Sequence, residues 1–131
     1  YNAIPSEIKN AIIDTKVVSG HGPNDTANFT STDKLYLLST AEVWAQGSSN
    51  TINNDTARDN TRQLDYYKNL GVTTSNKSGA IKKNGTNADF WWLRAAFSYD
   101  SYSFYRVSND GDWSSYNANY SYGVAPAFRI G

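Results

Sequence analysis

The chain has 131 residues, with four Trp, five Phe and ten Tyr, enough apolar area for one domain around a single sizeable core. Twelve basic residues balance twelve acidic ones and no run of one sign stands out, which argues against a nucleic-acid surface. The absence of Cys excludes disulfides, thiolate nucleophiles and thiolate metal sites, and no apolar run is long enough to insert into a bilayer. The sequence starts at Tyr1 and contains no Met, so a processed product or the C-terminal domain of a longer protein is expected.

Ile4, Ile8 and Ile12 are four residues apart behind Pro5, a pattern that predicts an amphipathic helix. "GHGPNDT" at 20–26 is turn-forming. "KLYLLS" at 34–39 reads as a short buried strand running into a short helix, because Ser39 and Glu42 have capping-box spacing. Residues 50–62 read as a polar loop, and "TRQLDYYKNLG" as a helix or long turn ending at Gly71. Residues 73–89 are polar and expected to be exposed. A buried strand follows at 89–97, then a hairpin turning at Asn109, Asp110 and Gly111. The last apolar strand, 123–130, carries Pro126, which points to an edge or a bulge. Helices early and adjacent antiparallel strands late predict an α+β fold over one domain, residues 1–131.

Few residues could carry chemistry. His21 is the sole histidine, sits between two glycines, and has no second His or Cys to complete a transition-metal shell. Asp110 and Asp112 flank Gly111 and could hold calcium, but a polar hairpin turn explains them as well, and no metal or other cofactor is expected. No phosphate-cradling loop, Ser-His-Asp set or redox pair is present, so an enzyme is not expected. Of the neighbours Trp91 and Trp92, at least one should be core, and Arg94 should be a structural cation ordering a loop nearby.

The segment 98–122, "SYDSYSFYRVSNDGDWSSYNANYSY", is the anomaly. Seven Ser, six Tyr, three Asn and three Asp fill 19 of its 25 positions, and Lys, Glu, Gln, Thr, Leu and Ile are missing. So much Tyr is too much apolar area for a merely solvated hairpin. Rigid amphipathic Tyr among small adaptable hydrogen-bonding residues is the composition of a paratope. Varying the two adenines of an AAC codon reaches Asn, Ser, Tyr, Asp, Phe, Gly, Arg, Ala and Val but never Lys, Glu, Gln, Met or Trp. Trp113 is the one unreachable type in the segment, as a fixed scaffold residue would be.

The pattern "WWLRAAF…FYRVSNDGDW…YGVAPAFRIG", preceded by "IPSEIKNAI" and "KLYLLSTAEVW", resembles a family of C-type-lectin-fold domains from gut bacteria and bacteriophages. A biased segment bracketed by Trp91–Arg94 and 123–130 is similar to the variable region of diversity-generating retroelement targets, the group that includes the phage major tropism determinant. The resemblance implies a C-type lectin fold with two N-terminal helices, a small, mostly antiparallel sheet and long loops. It implies a scaffold of Trp91, Trp92, Leu93, Arg94, Val107, Gly111, Trp113, Gly123, Pro126 and Phe128. The varied, ligand-facing positions would be Ser98, Tyr99, Asp100, Ser101, Tyr102, Ser103, Tyr105, Ser108, Asn109, Asp110, Asp112, Ser114, Ser115, Tyr116, Asn117, Asn119, Tyr120, Ser121 and Tyr122.

The implied partner is a protein or glycan receptor on a cell surface, met from a phage tail tip or a bacterial surface, with any homo-oligomer formed through the parent protein. The rival is a structural or oligomerisation module of a virion. The Glu-Pro-Asn and Trp-Asn-Asp motifs of calcium-dependent lectins are absent, and formylglycine-generating enzymes of the same fold need Cys. A strand expected before the first helix, to pair with the C-terminal strand, is also missing, so upstream sequence is expected to complete the sheet. Finally, alternation about the hairpin should turn Val107 inward and Arg106 and Ser108 outward, leaving Tyr99, Tyr102, Tyr116, Tyr120 and Tyr122 exposed on one contiguous face.

Overall fold

Pro5 at the cap and Glu7 in the first turn start α1 (Ser6–Ala11) in the computed structural model, which describes residues 1–46 and 52–131. The helix is shorter than the Ile4, Ile8 and Ile12 spacing predicts. Ile12 leaves it for extended backbone and opens β1 (Ile12–Ile13), which pairs antiparallel with β9 (Arg129–Ile130). Ile12 is buried and Ile8 is not, because tertiary pairing outweighs a helical stripe with no facing partner. The C-terminal strand therefore finds a partner just after the first helix.

β2 (Thr15–Ser19) and β3 (Phe29–Asp33) form an antiparallel hairpin across the predicted turn at 20–26. His21 sits in this loop, its backbone N–H donating to Thr56 Oγ1 at 2.9 Å. The expected strand at 34–39 reduces to one bridge between Tyr36 and Ala127. Ser39 then caps α2 (Thr40–Val43), its Oγ accepting from the Glu42 N–H at 3.3 Å as the capping box requires. The Thr40 hydroxyl donates to buried Asp55 at 2.6 Å and pins the helix to the following loop. The first two residues of the predicted loop 50–62 lie outside the described residues; the rest is turns and one short 3-10 helix, Arg58–Asn60. α3 (Asp65–Asn69) ends before Gly71, which takes φ +67° as a helix-terminating glycine does.

The polar stretch 73–89 hides a hairpin, β4 (Lys82–Asn84) with β5 (Asn87–Asp89), turning at Gly85. It leads into a three-stranded antiparallel sheet in the order β6 (Trp91–Ala96), β7 (Ser103–Val107), β8 (Trp113–Asn117). Trp91, Leu93 and Ala95 of β6 and Tyr105 and Val107 of β7 face inward against Val43, Trp44, Ile52, Tyr67 and Val72. Two indoles are tied to backbone: Trp91 Nε1–H donates to Ala80 O at 3.2 Å and Trp44 Nε1–H to Gly111 O at 3.0 Å.

At the β7–β8 turn Gly111 has φ +87°, and a Cβ there would stand 2.1 Å from the Lys77 carbonyl oxygen, so only glycine fits. The expected final strand is broken. Gly123 donates to Phe90 O and accepts from Trp92 N–H, both at 3.0 Å, Ala127 bridges Tyr36, and only Arg129–Ile130 is a regular strand. The described residues form an α+β arrangement of short helices and small antiparallel sheets.

Candidate functional site

Strand alternation builds the outer face of the three-stranded sheet. Trp92 lies opposite Arg106, Arg106 opposite Ser114, and Phe104 opposite Tyr116. Tyr120 and Tyr122, from the connection after β8, fold back onto this face. Tyr116 and Tyr120 meet edge to face with centroids 4.6 Å apart, and Tyr122 lies 5.4 Å from both Phe90 and Trp92. Beneath them the Arg106 guanidinium stands 4.1, 4.4 and 4.6 Å from the ring centroids of Phe90, Tyr116 and Tyr122. Such contacts are worth about 0.5–1 kcal/mol when exposed and about 2 kcal/mol or more when desolvated. Arg106 Nε–H also donates to Ser114 Oγ at 3.2 Å.

The structure divides the expected ligand-facing set. Tyr99 (80% exposed), Tyr102 (61%), Tyr120 (49%) and Tyr116 (37%) are open to solvent, and Tyr122 is half-buried by its neighbours. Ser101, Asn109, Asp110, Asn119 and Ser121 are exposed; Ser98, Asp100, Ser108, Asp112, Ser114, Ser115 and Asn117 are half-buried.

Two residues are corrected. Tyr105 and Ser103 are buried, because the alternation that turns Val107 inward turns both of them inward too. Tyr105 packs between Phe97 and Trp113, and burial, helped by Asp55, pushes its hydroxyl above the ordinary tyrosine range. Of the five expected rings, Tyr116, Tyr120 and Tyr122 contact one another, and Tyr99 stacks instead on Phe97, at 6.0 Å. Arg106 points outward as expected, yet the returning rings bury it. Neither Arg106 nor Phe90 was among the expected site residues, and the only signal for Arg106 was its place in the alternation.

At the hairpin tip the charge between the two aspartates is a lysine. Lys77 Nζ stands 3.3 Å from Asp110 and 2.8 Å from Asp112. Bonds from the Ser108 hydroxyl and the Asp112 N–H, with Lys77 beside them, hold the Asp110 carboxyl down at about 2. A depressed folded value contributes stability above the ordinary carboxyl range near 3.9, and the contribution is lost as pH falls from about 4 through about 2. Asp110 is 60% exposed, so solvent screening keeps the effect within about 1 kcal/mol. Asp110→Asn should flatten the acid limb of the stability profile between those values, while EDTA leaves the thermal midpoint unchanged. A midpoint several degrees lower in EDTA and restored by calcium would assign the aspartates to a metal instead.

Arg94 behaves as expected. It pairs with Glu42 at 2.6 Å, both side chains being over nine-tenths buried, and donates to Val18 O at 3.0 Å and Leu37 O at 2.8 Å. The pair lies in a cleft of about 500 Å³ whose walls include Lys16, Tyr36, Arg62 and Arg129. No group of three or more His, Cys, Asp or Glu side chains that could hold a metal occurs among the described residues, and no described helix is long and apolar enough to cross a membrane.

Fold and site together define a small α+β unit carrying an outward aromatic cluster on a core-backed sheet. The chain belongs to the family DUF6273, described as a domain of unknown function, whose model matches residues 1–131. No curated protein and no solved structure matches it.

Proposed function

We propose that this chain is a non-enzymatic binding domain of C-type lectin fold, the variable protein of a diversity-generating retroelement. It would present residues 98–122 to a protein or glycan receptor from a phage tail tip or a bacterial surface. The observation that carries this reading is the cluster of Tyr116, Tyr120 and Tyr122 on the outer face of a sheet whose inner face is core. An aromatic patch on a rigid support gives large contact area at low entropic cost, which is what a recognition surface needs.

Sequencing several clones tests it, together with the adjoining DNA for a reverse transcriptase and a near-copy of the last third of the coding sequence. A recognition surface varies at exposed positions of 98–122, among them Tyr99, Tyr102 and Tyr120, while Tyr105, Val107, Gly111 and Trp113 stay constant. A subunit interface of a virion would hold the exposed positions fixed as well.

Mutation should separate surface from scaffold. Tyr99→Ala and Tyr120→Ala are expected to change unfolding free energy by less than about 0.5 kcal/mol in urea melts. At a hot-spot position the same change should weaken receptor binding by about 2 kcal/mol or more. Unfolding of the domain by either substitution would make the rings scaffold and end this reading.

A further inference from the structure

Of the two extensively buried arginines on the outer face of the sheet, one has its counter-ion and the other does not. Arg94 has Glu42 at 2.6 Å. Arg106 is 8% exposed and takes part in none of the ion pairs found among the described residues. Its Nη1 is the one buried side-chain nitrogen or oxygen among them that lacks a hydrogen-bond partner. Arginine keeps its charge throughout the working pH range, so proton loss cannot relieve it. Asp110 and Asp112 are engaged with Lys77 and Glu42 with Arg94, and Asp89, next to Phe90, accepts from the Phe90 N–H. What surrounds the guanidinium is three ring faces and one hydroxyl, Ser114. Ring faces answer the charge but accept an N–H bond only weakly.

We propose that the missing partner is a carboxylate of the ligand, received by Arg106 beneath the tyrosine cluster. The inference rests on the reading of this face as a binding surface and names the chemistry it takes. A planar fork of N–H groups matches a carboxylate with two parallel charge-assisted bonds. Access needs the two tyrosine rings over the guanidinium to turn aside, Tyr116, which is 37% exposed, and half-buried Tyr122, and rotamers of exposed side chains exchange within nanoseconds. With those rings turned aside, their hydroxyls and faces become the walls of the site while Phe90 remains at its base. The carboxylate can come from an acidic sugar or from an acidic side chain, which present the same group to Arg106.

The test follows the Arg106 side-chain Nε–H signal by NMR in labelled protein, titrated with sodium acetate and, at matched ionic strength, with sodium chloride. A saturable shift with acetate and none with chloride is expected. Binding to Arg106→Lys, followed through the Tyr116 and Tyr122 ring signals, should be at least about tenfold weaker, because the charge stays and the fork is lost. Equal responses to acetate and chloride in the unaltered protein would overturn the proposal whatever the variant does, as would undiminished acetate binding by a folded Arg106→Lys. A glucuronate arm separates the sources: tighter binding than acetate identifies an acidic sugar, and parity or weaker binding an acidic side chain. If receptor binding collapses in Tyr120→Ala while acetate leaves Arg106 unmoved, this site fails and the binding-domain reading survives. Acetate bound at Arg106 in a protein whose clones never vary at 98–122 gives the reverse.

Discussion

Glu42→Ala will cost about 3–5 kcal/mol of stability, because it leaves the Arg94 guanidinium buried without its counter-ion. The two side chains are 7% and 8% exposed and 2.6 Å apart, so the pair is held largely out of water. Arg94 also holds the carbonyls of Val18 and Leu37, which joins β2 to the segment entering α2. A charge forced toward solvent would pull on both connections. The cost belongs to the orphaned cation and not to the bond alone. Glu42→Leu with Arg94→Met should therefore recover much of the stability in urea melts. A double variant as unstable as Glu42→Ala would place the loss in the backbone ties instead.

Trp44→Ala is the second large effect, also about 3–5 kcal/mol. The indole is 1% exposed among the inward residues of β6 and β7, and its Nε1–H reaches the Gly111 carbonyl at the far hairpin. Trp44→Phe keeps most of the volume but removes that donor, leaving a buried carbonyl short of a partner at about 1–3 kcal/mol. Thermal melts of the two variants should rank in that order. If Phe proves as damaging as Ala, the hairpin tie outweighs the packing.

What could be read beforehand was local chemistry. Ser39 and Glu42 cap α2 at the predicted spacing, Gly111 turns the hairpin with positive φ, and Arg94 is the structural cation its place beside Trp91 and Trp92 predicts. What could not be read depended on distant partners. Ile12 fits a helical stripe until Ile130 offers it a ladder. The β2–β3 hairpin has Val17 as its only buried apolar residue and a partner strand of Phe, Thr, Ser, Thr and Asp, so neither strand shows a clean alternation. In β4–β5 the Asn84-Gly85 turn signal was present, but the flanking Lys and Asn masked it. The composition of 98–122 sets Tyr105 with the surface, while the period of two that turns Val107 inside turns Tyr105 inside as well. Arg106 is the deepest case. Its own strand turns it outward, and residues 90, 116 and 122 bury it.

The paired bonds of Gly123 to Phe90 and Trp92 make a clasp that closes everything between β6 and the chain's last segment into a ring with a fixed neck. A Cβ on Gly123 would come within 2.9 Å of the Phe90 oxygen, so the clasp also excludes other residues there. Closing a ring costs entropy once, and doubling the length of a flexible connection adds only about 0.6 kcal/mol. The connections at 98–102 and 118–122 lie inside that ring, so lengthening either would add little to the cost of closure with the neck unchanged. The fastening and the connections it encloses are thus separate pieces of chain.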